Sequence, residues 1–221
     1  MQAFSSELVQ RLSALHLLKH PFYESWSKGE LSRDALGVYA RQYYHHVAAF
    51  PRYVSAVHSG CDDLATRQLL LENLIEEERG TENHPELWLR FADALGVDRA
   101  AVKEEALLPE TKALIDTFLD LSRQGCFTEG LAALFAYEQQ VPEVAASKID
   151  GLKKFYAMTD ERALSFFTAH LTADVVHSQQ EAALLDAVPA ADREKTALAA
   201  ERAARALWGF LDGVQRVAGC H

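Results

Sequence analysis

Apolar positions recur with a helical period along nearly the whole chain, and no stretch alternates convincingly as a strand would. Punctuation divides the pattern into segments. Ser5 or Ser6 can cap a first helix that closes near His20-Pro21. Ser32 caps a long second helix through Tyr39, Tyr43, His46 and Phe50, and Asp62 or Asp63 opens a third that runs to Gly80. Pro85 suits a first helical position in a fourth, which Gly96 stops. Pro109 opens a fifth that ends at Gly125, Thr128 a sixth, and Thr159 or Asp160 a seventh of about 28 residues. An eighth follows Pro189 and carries Leu198, Leu207, Phe210 and Leu211. No repeat, low-complexity stretch or linker interrupts this. The expected architecture is one domain over residues 1–221, an all-α bundle of seven to eight helices.

A chain of 221 residues buries roughly 70% of its unfolded surface, so it needs neither disulfides nor a structural metal to fold. With 49% hydrophobic and 24% charged residues, disordered and collagen-like classes are excluded. A net charge of −10 argues against a nucleic-acid partner. Cys61, Cys126 and Cys220 are too few and scattered for a disulfide framework and fit a reducing compartment. Glu7 and Arg11 fall where the apolar core of a signal peptide would lie, and no apolar run approaches membrane-spanning length. The expectation is a soluble, cytoplasmic protein with no membrane partner.

Within the seventh segment, His170, Asp174 and His177 are spaced to project from one helical face, flanked by Phe166 and Phe167 before and Leu184 and Leu185 after. Three metal-ligand side chains thus interrupt a stripe that should be core; a satisfied buried polar cluster or a half-exposed face is the alternative. In the sixth, Leu131, Leu134, Phe135 and Glu138 follow core spacing, so Glu138 points where Leu is expected. A lone buried carboxylate would protonate unless paired or metal-bound, and pairing with Arg or Lys stays open. Pro142 removes the hydrogen bond that the Glu138 carbonyl would accept, which predicts a kink there. In the third segment, Leu70 and Leu74 define a face continuing into Glu77, while two of Glu76, Glu77 and Glu78 belong to a solvated face. Gly80 and Pro85 break the helix, leaving Glu77 at one end and His84 at the start of the next. Together Glu77, His84, Glu138, His170, Asp174 and His177 offer three carboxylates and three imidazoles. Oxygen and nitrogen ligands without thiolate suit iron or manganese, and six suit two ions; zinc would be satisfied by four. The set permits two irons or one iron with one manganese.

This pattern, E-x6-H, then E, then H-x3-D-x2-H, resembles the haem-oxygenase-like dimetal oxidases. The segments HPFYESWSKGELSRDALGVYARQYYHHVAAFPRYVS and NLIEEERGTENHPELWLRFADALGV look closer to one branch, that of the chlamydial protein associating with death domains and bacterial relatives that make 4-aminobenzoate. The similarity covers residues 10–185. More distant relatives are pyrroloquinoline-quinone synthase and the thiaminase-like proteins. The resemblance implies a self-sacrificing, single-turnover synthase for folate biosynthesis, in which Tyr23 supplies the ring, Tyr39 assists and Lys148 is the amino donor. It also implies O2 and an external reductant as co-substrates, an external electron donor and a homodimer. Read from the residues alone, Lys148, ten residues after Glu138, either lines the same cavity or is an ordinary solvated lysine, with the solvated reading favoured; Tyr39, Tyr43 and Phe50 form an aromatic core stripe, and Tyr23 says nothing. Tyr44, His45 and His46 are given only packing or supporting hydrogen bonds, and His16, His20, His58 and His221 are read as structural or exposed.

Three other functions compete. A dimetal oxidase with the same ligands could act catalytically on a diffusible substrate, cleaving C–C bonds of a fatty or amino acid. A cofactor-free hydrolase like thiaminase would use Cys126 as nucleophile and leave the six ligands unexplained. A protein-interaction module is the non-enzymatic reading, with no docking motif in the sequence to support it.

Overall fold

A computed structural model describes residues 2–219; Cys220 and His221 lie outside the described residues. Among the described residues there are twelve α-helices and no strand. The first, α1 (Phe4–Leu12), starts earlier than its serines suggest: Ala3 holds the cap position without a side-chain bond. Ser5 is buried instead, its amide donating to Asp186 Oδ1 at 2.7 Å. Nor does this helix run to His20, because the chain tightens into 3-10 turns at Ser13–Leu15 and Leu17–Lys19. A separate helix, α2 (Pro21–Lys28), follows, with His20 Nδ1 accepting from the Phe22 amide at 3.0 Å.

The next starts follow the sequence closely. Ser32 accepts from the Ala35 amide to open α3 (Arg33–Ser59), and Asp63 accepts from Thr66 to open α4 (Leu64–Glu78). Asn83 caps α5 (His84–Ala94), and Asp98 caps the short α6 (Arg99–Glu104), which periodicity did not predict. Pro109 begins α7 (Pro109–Arg123). The cap of α8 (Phe127–Glu138) is Cys126 rather than Thr128, in a reciprocal box with Glu129. Pro142 then ends α8 at Glu138, and the chain resumes as α9 (Val141–Phe155). Asp160 caps α10 (Glu161–His170), but the expected 28-residue helix is split. Leu171 and Thr172 bond back only three residues, to Thr168 and Ala169, and the chain resumes as α11 (Ala173–Asp186). The last helix is α12 (Arg193–Ala218), on which Leu207, Phe210 and Leu211 are buried and Leu198 is exposed.

Leu131 through Tyr137 of α8 are all buried, so this helix is apolar around its circumference and forms the axis of the bundle. Helices α7, α11 and α12 pack around it, and α3 crosses to α4, α5 and α7. Two glycines let α2 lie close on α9. A Cβ on Gly29, whose φ is +72°, would strike the Phe155 ring. One on Gly151 would lie 2.8 Å from Trp26 Cδ1 and 3.1 Å from the Trp26 carbonyl. Trp26 Nε1 donates to the Lys148 carbonyl at 3.3 Å, so this contact fixes the register between the two helices. Replacing Gly151 with Ala should therefore destabilise the protein by about 1–3 kcal/mol in denaturant unfolding, since neither the indole nor the carbonyl can retreat freely.

Candidate dimetal centre

Helix ends deliver the six expected ligands. Glu77 lies in the last turn of α4 and His84 at the first position of α5; His170 ends α10. Ligand atoms of these three lie within 4.8 Å of one another. Glu138 ends α8, and Asp174 and His177 occupy the start of α11; their ligand atoms form a second group under the same limit. All six side chains are buried. His170, Asp174 and His177 do not share one continuous helical face, as the sequence spacing suggests. The break at Leu171–Thr172 turns His170 toward Glu77 and His84, and leaves Asp174 and His177 with Glu138.

Local bonds aim several of these groups. The His170 Nδ1–H donates to the Phe166 carbonyl at 2.7 Å, which leaves Nε2 with its lone pair free. His177 Nε2 lies 3.3 Å from Glu76 Oε2, so Nδ1 is the nitrogen turned inward. Glu76 and Glu78 are exposed while Glu77 is buried. Asn73 Nδ2 donates to Glu138 Oε1 at 2.9 Å and holds that carboxylate in place.

The remaining polar atoms are short of partners. Glu138 Oε2, Asp174 Oδ2, His84 Nδ1 and His177 Nδ1 are buried without a hydrogen bond. His84 Nδ1 is only 2.8 Å from Glu77 Oε2, yet the two do not meet hydrogen-bond geometry. Lone pairs that converge on a common point, rather than on each other, are what a bound cation requires. Burial pushes Asp174 up to about 7; His177 relieves part of the rise, and the charges of Glu138 and Glu77 add to it. Burial likewise raises Glu138. It drives His170 well below its usual value, with His84 adding to the shift. Burial alone would lower His177, but Asp174, Glu138 and Glu76 outweigh it and lift the imidazole to about 8. A site that strains its acids toward the neutral form is one that lacks positive charge. The donor set fits two divalent cations of the iron–manganese kind.

Sequence reasoning missed Glu181, which is buried beside Glu138 with both oxygens unpartnered. The signal was present: Glu181 follows His177 by four residues and so continues the Asp174–His177 face.

A second cluster adjoins the first. The hydroxyls of Tyr23 and Tyr39 share a hydrogen bond of 2.8 Å, and Lys148 Nζ donates to Tyr39 Oη at 2.7 Å. All three side chains are buried, so Lys148 is not the solvated residue its sequence context suggests. Its nitrogen sits 4.8 Å from the Tyr23 ring and 5.1 Å and 5.2 Å from those of Tyr39 and Tyr43. The aromatic faces favour a cation, but burial dominates and lowers the ammonium to about 7. Tyr43 and Tyr137 share a further bond of 2.6 Å. His46 is wholly enclosed by aromatic rings, with neither ring nitrogen bonded.

A small cavity connects the clusters, lined by Tyr23, Tyr43, Lys148, Phe166, Phe167 and His170 among others. Only about 10 Å³ is open to the centre of a water-sized sphere there. That is about the room one water molecule occupies. A depression of about 650 Å³ lies elsewhere, between Arg52, Glu78 and Cys126, and none of the six candidate ligands lines it. Cys126 is exposed and engaged at the head of α8, with Sγ 3.2 Å from Thr128 Oγ1.

A family model described as iron-containing redox enzyme, haem-oxygenase type, matches residues 38–209. The chain is 46% identical to a 4-aminobenzoate synthase of Nitrosomonas europaea, over 96% of this chain and 90% of that protein. It is 42% identical to a 4-aminobenzoate synthase of Chlamydia trachomatis, over 95% and 90%. A pyrroloquinoline-quinone synthase of Rhizobium meliloti is more distant, 28% identical over 77% of this chain and 67% of that one. Among solved structures, a TenA homologue of Pseudomonas syringae superposes with a TM-score of 0.82 at 18% identity, over 97% and 93% of the two chains. That last likeness shows the fold alone. With the family model spanning most of the sequence, and ligands and relatives in accord, the chain belongs to the haem-oxygenase-like family of iron-containing redox enzymes.

Proposed function

We propose that the protein makes 4-aminobenzoate for folate synthesis in a single turnover, taking the ring from its own Tyr23 and the nitrogen from Lys148. Two divalent cations, two irons or one iron and one manganese, would be held by Glu77, His84 and His170 and by Glu138, Asp174 and His177. When bound, they supply the activation of O2, with electrons from an external reductant. The names of the relatives support the product. The observation that carries the self-substrate reading is the cavity. It touches Tyr23, Lys148 and the candidate ligand His170, and its open space of about one water leaves no room for an aromatic or fatty substrate as the side chains stand, which favours a substrate built into the chain.

The residues around it divide the work. Tyrosine already bears para-related carbon and oxygen substituents, as 4-aminobenzoate bears para-related carboxylate and amine. Oxidative loss of the Tyr23 Cα–Cβ bond leaves the benzylic carbon to become the carboxylate, and the phenol oxygen must give way to nitrogen. Burial keeps the Tyr23 phenol protonated, its ionisation pushed well above the usual range. Tyr39 Oη stands between Tyr23 Oη and Lys148 Nζ and can pass a proton between them. Lys148, lowered to about 7, presents a neutral amine with a free lone pair in mildly alkaline solution. The tight aromatic packing of Phe166, Trp88 and Phe167 around His170 and Tyr43 keeps bulk water from the reacting groups.

Purified protein given metal, reductant and O2 should release less than one 4-aminobenzoate per chain, and peptide mass mapping should then find Tyr23 altered; many turnovers with Tyr23 intact would contradict this. Metal loading should raise the melting temperature by roughly 5–10 °C per bound ion at about a hundredfold excess over the dissociation constant, an increase that a chelator reverses. Lys148 gives a pH test. Its folded pKa of about 7 lies below the unfolded 10.5, so the buried charge penalises the fold fully below pH 7 and ceases to do so as pH rises toward 10.5. The stability advantage of Lys148→Met over wild type should therefore be greatest below pH 7 and shrink by about 4 kcal/mol toward pH 10, read from denaturant melts across that range.

A further inference from the structure

Glu181 is 3% exposed at mid-length in α11, and neither of its carboxylate oxygens has a hydrogen-bond partner among the described residues. Its side chain projects from the same face as Asp174 and His177, two turns and one turn before it. It meets Glu138, close enough that a single proton or a cation between the two carboxylates would join them. Asn73 already occupies Glu138 Oε1, and Glu138 Oε2 is left bare.

Two ionised carboxylates in contact inside a bundle are unstable unless positive charge lies between them. Counting charges leads to the same place. Glu77, Glu138 and Asp174 leave two divalent cations with one positive charge in excess, and Glu181 removes it. The three histidines balance nothing when they coordinate as neutral imidazoles.

We propose that Glu181 is a fourth carboxylate ligand of the centre, binding the cation held by Glu138, Asp174 and His177. This rests on reading the two triads as cation sites. A glutamate there adds hard oxygen to the three-ligand group and so favours iron or manganese over softer ions. It also makes the two positions unequal, one held by Glu77, His84 and His170, the other by four side chains.

The test titrates metal-free full-length protein with Mn2+ alone, following heat, bound metal and the Mn2+ paramagnetic resonance spectrum. Wild type should bind two equivalents. Glu181→Gln, in which the amide can donate to Glu138 and keep the helix packed, should bind one of the two about 10- to 100-fold more weakly and give a changed spectrum. Glu78→Gln, at an exposed carboxylate on the end of α4, should match wild type. Two equivalents bound by Glu181→Gln at wild-type affinity with an unchanged spectrum would overturn the assignment and leave the triads standing. A wild type that binds no Mn2+ would overturn the two-cation reading itself. If Glu181→Gln fails to fold, Glu181→Asp is read in the same way: the shorter carboxylate must weaken one site and shift the spectrum, and wild-type behaviour contradicts the proposal.

Discussion

Four carboxylates, those of Glu77, Glu138, Asp174 and Glu181, stand in the interior of this helical bundle with no lysine or arginine among the described residues bonded to them. The effective penalty for burying an unpaired ion is several kcal/mol, against a total folding stability of about 5–15 kcal/mol. Such a core survives only by taking up protons or cations, and the rest of the architecture is arranged around that choice. The helices end where the candidate ligands begin. Helix α4 stops just after Glu77, α8 at Glu138 and α10 at His170, while α5 and α11 start at His84 and next to Asp174. Each break spends a few backbone hydrogen bonds and in return aims a side chain at a point that a continuous helix could not reach.

The same interior explains why the reactive cluster has no entrance of useful size. Tyr23, Tyr39 and Lys148 are packed as core residues, joined by two short hydrogen bonds and walled by aromatic rings. A lysine in such a place is costly, and it yields by lowering its proton affinity rather than by finding a carboxylate. A depression of about 650 Å³ lies by Cys126, away from the candidate metal ligands. Beside the candidate ligand His170 the Tyr23 ring and Lys148 line a cavity with room for about one water.

Much of this could be read from the sequence, for a reason that is physical. A ligand in a core stripe is a polar residue where an apolar one is due, and Glu77, Glu138, His170, Asp174 and His177 all announce themselves in that way. Proline and glycine mark the breaks after Glu77 and Glu138 in the same plain manner. The break at Leu171–Thr172 carries no such mark, because a change to three-residue hydrogen bonding is set by tertiary packing, and so the grouping of the six ligands into two triads was not legible. Glu181 was legible in the same way as Asp174 and His177, four residues after His177 on its helical face, and was passed over. Lys148 looked like surface because nothing in its own helix reveals that α2 covers it. That cover depends on Gly29 and Gly151, at which only contacts distant in sequence show why a side chain is forbidden.

The most direct measurement is diffraction from crystals of the metal-loaded protein, recorded on either side of the iron and manganese absorption edges. Two anomalous peaks, one among Glu77, His84 and His170 and one among Glu138, Asp174 and His177, with the Tyr23 ring still filling the space beside His170, are the expected result. A single peak or none, with the buried acids hydrogen-bonded to one another as neutral carboxyls, would contradict it.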